Sequence, residues 1–111
     1  MADRLWIMRH GEATPGFPDE ARRLTTRGED EARAMGRWLA SRDDIDLGRL
    51  KVLASPYVRA QQTAALVLEA LPDEVSLDTL DIITPDDSPE AVVDWLTLES
   101  DEGPLLLVSH M

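Results

Sequence analysis

The residues of this chain best suited to chemistry begin at Arg9-His10-Gly11-Glu12, where a histidine follows a fixed cation at the carboxyl end of a short hydrophobic run, Leu5 to Met8. A parallel α/β sheet opens its ligand crevice at that end of its strands. An imidazole placed there can act as a nucleophile at neutral pH, because an ordinary pKa of about 6.5 leaves much of it uncharged. Arg9 beside it points to an electrophile that carries negative charge. A histidine that only bonds a turn fits the same four residues equally well.

Two further groups follow the same pattern. Ser55-Pro56 comes after the apolar run Leu50 to Ala54, with Arg59 four residues past Ser55, and Ser109-His110 comes after Pro104 to Val108. If the three runs are parallel strands, two histidines, two arginines and the start of a helix share one sheet edge, a set suited to a tetrahedral dianion. Each member also has a plainer reading. Ser55 reads as a helix N-cap rather than a nucleophile, since no G-x-S-x-G elbow surrounds it. Arg59 could be a solvated helix arginine, and His110 could make a turn contact. The histidine spacing does not fit H-E-x-x-H and no G-x-x-x-x-G-K-[ST] is present, so a metal hydrolase and a P-loop enzyme are poor readings.

The elements that would position these residues alternate between strand and helix, the pattern of βαβ units and a mainly parallel sheet. A first strand over Arg4 to Met8 leads into a long loop, Ala13 to Thr25, broken by Pro15, Gly16 and Pro18. A first helix begins at Thr26, where Thr26 and Glu29 form a capping-box pattern, and Ala32, Met35, Gly36 and Leu39 give it one apolar face. Ser55-Pro56 opens a second helix with Ala60, Ala64, Val67, Leu68 and Leu71 buried, and Pro72-Asp73 stops it. A weak strand over Val75 to Leu80 precedes a third helix begun by Ser88-Pro89, whose Val92, Val93, Trp95 and Leu96 should face the core. The fold class expected is therefore α/β, with a mainly parallel central sheet.

At 111 residues the chain suits a single domain, residues 1–111, able to bury about two thirds of the surface its unfolded form exposes. Without cysteine it has no disulfide framework and no thiolate metal site. Together with the lack of a long apolar run or signal-peptide pattern, this leads to the expectation of a cytoplasmic protein with no membrane partner. Lys+Arg 11 against Asp+Glu 22, a net charge of −11, argues against nonspecific nucleic-acid binding. A local cationic pocket within an acidic exterior can still hold one phosphoryl group at contact.

Arg9-His10-Gly11-Glu12, the segment Ser55-Pro56-Tyr57-Val58-Arg59-Ala60-Gln61-Gln62-Thr63-Ala64, and Ser109-His110 resemble, in order and placement, the three motifs of the histidine phosphatase superfamily, the phosphoglycerate-mutase-like fold. Asp19, Arg22, Leu24, Thr25 and Gly28 also resemble the D-x-x-R-P-L-T-x-x-G stretch of the short SixA-type phosphohistidine phosphatases, with Arg23 where that branch usually has proline. The resemblance implies a three-layer αβα fold and a phosphatase without metal or other cofactor. In it His10 would take the phosphoryl group as phosphohistidine and water would release it. Arg9, Arg59 and His110 would hold the equatorial oxygens, with His110 protonated while phosphate is bound. Arg22, Ser55 and Gly11 complete the expected substrate contacts.

Expelling an alkoxide usually needs a general acid, whereas the imidazole of phosphohistidine needs less help. Asp81 is the first candidate acid, ahead of Asp86 and Asp87. The short chain leaves an open site that suits a phosphorylated side chain of a histidine phosphotransfer protein. A small phosphate ester, or a weakly catalytic phosphate- or phosphoprotein-binding module, are the alternatives. Because members of the superfamily continue beyond the last histidine, the resemblance also leads to the expectation of a domain incomplete at its carboxyl end.

Overall fold

A computed structural model of the chain describes residues 4–98 and 103–110. Strands and helices alternate as β1 (Leu5–Arg9), α1 (Thr26–Ala40), β2 (Lys51–Ala54), α2 (Val58–Leu68), β3 (Ser76–Thr79), α3 (Pro89–Leu98) and β4 (Leu105–Ser109), with single 3-10 turns at Asp19–Ala21 and Leu47–Arg49. Every strand pairing is parallel, and the order across the sheet is β1-β4-β2-β3. Parallel neighbours cannot be joined by hairpins, so each helix serves as a crossover.

The helices cover both faces of the sheet, giving the three layers expected. On one face Val52, Ala54, Leu106 and Val108 meet Leu39 of α1 and Ala60, Ala64 and Val67 of α2. On the other, Leu53, Leu105 and Leu107 meet Val92, Trp95 and Leu96 of α3. β4 runs between β1 and β2 and is buried at every position, which explains its unbroken apolar sequence. β1 lies at the edge of the described sheet. Its Trp6 and Met8 turn toward the α1–α2 side, while Leu5 and Ile7 are exposed.

Several local expectations shift. The N-cap of α1 is Thr25, whose Oγ1 accepts the Gly28 N–H at 3.0 Å, so Thr26 is already the first helical residue. Ser55-Pro56 does not open α2. The chain makes one more extended step through Tyr57 and the helix starts at Val58, although Arg59 still falls in its first turn. Val93 is exposed rather than buried against the sheet. The loop from 13 to 25 folds back on itself through an antiparallel bridge between Ala13 and Leu24, with the Thr14 N–H donating to Arg23 O at 2.8 Å. Among the described residues no helix is long and apolar enough to cross a membrane.

Candidate active site

The sheet brings the three motifs together through β4. The His10 N–H donates to Ser109 O and the Ser55 N–H to Val108 O, each at 3.0 Å, so the central strand sets the height of both neighbouring strand ends. The rings of His10 and His110 then lie edge to face with centroids 5.1 Å apart. Behind them the turn after β1 is pressed against the first turn of α1. A Cβ on either Gly11 or Gly28 would run into the backbone of the other segment, so glycine is required on both sides.

His10 is held in one tautomer. Its Nδ1 lies 2.7 Å from Gly11 O, and because a carbonyl only accepts, Nδ1 carries the proton. Nε2 is left with its lone pair, which accepts the Arg59 Nε–H at 3.1 Å. Burial pushes the His10 pKa below its ordinary value, and the nearby guanidinium groups of Arg59, Arg9 and Arg22 push in the same direction against the opposing Gly11 bond. The ring is therefore a neutral base at pH 7, the form a nucleophile needs.

Arg59 is almost wholly buried, with 3% of its surface exposed. Its remaining nitrogens donate to Asp19 O at 2.7 Å and to Asp19 Oδ2 at 3.3 Å. The other carboxylate oxygen of Asp19 accepts the Arg22 Nε–H at 2.9 Å, and Arg22 also donates to Thr14 O at 3.1 Å. Asp19 thus braces two arginines from the 13–25 loop, and the Arg22 hydrogen bond, followed by Arg59, holds its carboxyl below the usual carboxylate range.

His110 stacks edge to face on Tyr57, with centroids 5.0 Å apart, and Arg59 lies over the same tyrosine ring at 4.9 Å. Burial, then the charges of Arg59 and His10, push the His110 pKa down to about 4, so without an anion it is neutral. A phosphate dianion in the cleft acts in the opposite sense and favours the imidazolium.

These groups line a cleft of about 510 Å³. Arg9, His10, Gly11, Arg22, Arg59 and His110 all border it. Ser55 does not. It is fully buried, and its Oγ sits 2.7 Å from His110 Nε2 while accepting the Tyr57 N–H, so it supports His110 from behind rather than facing the cleft. The Gly11 N–H is likewise committed, donating to Thr63 Oγ1 at 3.0 Å. Asp81 is exposed in the turn after β3 and lies outside the cleft lining, whose carboxylates are Glu12 and Glu31. Sequence alone does not mark Asp19 as a brace or Thr63 as an anchor. The i,i+3 spacing of Asp19 and Arg22 is a signal for the first, and nothing local distinguishes Thr63 from any helix threonine.

Comparison with known proteins agrees with this geometry. Residues 5–80 match the histidine phosphatase superfamily (branch 1). A phosphohistidine phosphatase SixA homolog of Haemophilus influenzae is 38% identical over 96% of this chain and 70% of its own length. The phosphohistidine phosphatase SixA of Escherichia coli is 36% identical over 97% of this chain and 67% of its own. Among solved structures, the protein histidine phosphatase SixA complexed with tungstate superposes with a TM-score of 0.81 at 35% identity, over 96% of this chain and 69% of that one.

Proposed function

Because this chain belongs to the histidine phosphatase superfamily (branch 1), we propose that it is a metal-independent phosphohistidine phosphatase acting on a histidine phosphotransfer protein. The observation that carries this reading is the pairing of the His10 Nε2 lone pair with the Arg59 Nε–H at the border of a cleft that Arg9, Arg22 and His110 also line. The tungstate held by the structural relative is a tetrahedral oxyanion, the shape of a phosphoryl group.

In the first step His10 Nε2 attacks phosphorus in line as the bond from phosphorus to the substrate imidazole breaks, and the departing imidazole takes up a proton from solvent water. Arg59 moves its Nε–H from the lone pair to a phosphoryl oxygen. Arg9 and His110, protonated once the dianion is present, hold the others. In the second step water attacks the phosphohistidine at position 10, the new bond to nitrogen breaks, and inorganic phosphate leaves. An imidazole leaving group fits a cleft whose carboxylates, Glu12 and Glu31, belong to exposed residues.

The test is a phosphohistidine phosphotransfer protein labelled in its phosphoryl group. The label should pass to His10 as an acid-labile, base-stable adduct and then appear as inorganic phosphate. Turnover that survives H10A without a labelled intermediate would refute the mechanism. A parallel panel of sugar and nucleotide phosphates, hydrolysed faster than phosphohistidine, would assign a small-molecule substrate instead.

A further inference from the structure

Thr63 is fully buried in α2, one turn after Arg59, and its hydroxyl is used in both directions. Oγ1–H donates to Arg59 O at 2.7 Å, and the same oxygen accepts the Gly11 N–H at 3.0 Å. The first bond alone is an ordinary habit of threonine within a helix. The second crosses from α2 to the turn that carries the nucleophile, and it closes a circuit. Gly11 O accepts His10 Nδ1–H at 2.7 Å, and His10 Nε2 accepts Arg59 Nε–H at 3.1 Å, which returns to the residue where the circuit began.

Each link has only one workable direction. The Arg59 and Gly11 carbonyls can only accept, and the Gly11 amide and the Arg59 guanidinium can only donate. Gly11 is also the residue of the circuit with the widest intrinsic backbone freedom, because glycine lacks the Cβ that would limit its rotation. With its amide unanchored, the glycine backbone could turn and carry its carbonyl away from Nδ1, freeing His10 to take the other tautomer and lose its Nε2 lone pair.

We propose that Thr63 is a positioning residue that fixes the Gly11 backbone, and thereby keeps His10 in its Nδ1–H tautomer and in register with Arg59. The proposal rests on His10 being the nucleophile.

The experiment compares T63V, which keeps the shape but removes both bonds, with T63S, which keeps the hydroxyl. For T63V the kcat for phosphohistidine should fall about 10- to 100-fold while KM changes less than about threefold, since loss of alignment acts on the reacting geometry more than on binding. T63S should stay within about threefold of the unaltered protein. A T63V kcat within threefold of the unaltered value, or a T63S as impaired as T63V, would overturn the proposal. Should T63V not fold, nitrogen-15 spectra of the unaltered protein still decide, since a His10 observed with its proton on Nε2 breaks the circuit. Those spectra are read without substrate, so a protein inactive toward phosphohistidine but with His10 protonated on Nδ1 would count against the proposed function and not against the circuit.

Discussion

Arg59 donates its Nε–H to His10 Nε2, the ring nitrogen left with a lone pair, across 3.1 Å. Under the proposed function, the cation that would hold the phosphoryl oxygens is also the group that covers the His10 lone pair. Phosphate binding would exchange the neutral ring acceptor for an anionic oxygen, and so release the lone pair when an electrophile is present. Replacing Arg59 should therefore have two separable effects. Arg59→Ala should lower kcat by about 100- to 1000-fold through lost stabilisation of transition-state charge. It should also raise the His10 pKa, because the guanidinium helps to hold it down. Steady-state kinetics read the first effect and an NMR titration of the histidine ring protons reads the second. Arg59→Lys should keep much of the pKa effect but little of the activity, since an ammonium cannot reproduce the fork.

The two histidines should make the fold sensitive to mild acid. Both have folded-state pKa values below the ordinary 6.5, His110 at about 4. The unfolded chain therefore binds more protons than the folded one between these values, and stability falls as pH drops through that window. The contribution is fully present above about pH 6.5 and is lost toward pH 4. Asp19 and Asp44, held below the usual carboxylate range by their arginine partners, lose theirs only further down. Thermal melts from pH 7.5 to 4 in a buffer free of phosphate should show the decline, and His110→Asn should flatten it.

Asp19 presents a negative charge to Arg59 and Arg22 on the border of the cleft. Asp19→Asn should tighten inhibition by tungstate or phosphate about threefold to tenfold, the size of a single charge repulsion at partly solvated range. The same change should lower kcat, because both arginines lose part of their brace. Inhibition constants and turnover measured on the same preparation check the opposite signs.

Gly28→Ala should damage fold and site together. The added methyl would meet the Glu12 backbone, and relieving that overlap must push the turn of His10 away from α1. A cost of about 1–3 kcal/mol is expected, lowering Tm by roughly 5–15 °C. Calorimetry reads the stability loss, and phosphatase activity below Tm should fall as well.

The sheet and its layers were readable in advance because a continuous apolar run such as Leu105 to Val108 has few places to go other than the middle of a parallel sheet. The positions of His10, Arg59 and His110 followed from the strand ends. Cap positions were less legible. Thr25 and Thr26 offer the same side-chain chemistry, and Thr25 alone also reaches Glu12 O, at 3.3 Å, a contact made 13 residues away. Ser55 carries a good N-cap signal, but its hydroxyl is taken by His110, which lies 55 residues further along the chain. Val93 fits the apolar pattern of α3 yet faces outward, because periodicity marks a stripe without saying how much of it the sheet covers. Asp81 stands in the stretch between the second and last motifs where the resemblance places an acid, but position in sequence says nothing about where its loop points.

The place of β4 in the sheet has a bearing on synthesis. Its residues are the last of the described strands to leave the ribosome, yet they fill the gap between β1 and β2 and carry the rung bonds that align His10 and Ser55. A nascent chain that has released the first hundred residues already holds His10 and Arg59 but has no strand to set them side by side. Under the proposed function, phosphoryl-transfer competence should thus arrive no earlier than the insertion of β4, so a ribosome stalled before that strand would display His10 without the neighbours that align it.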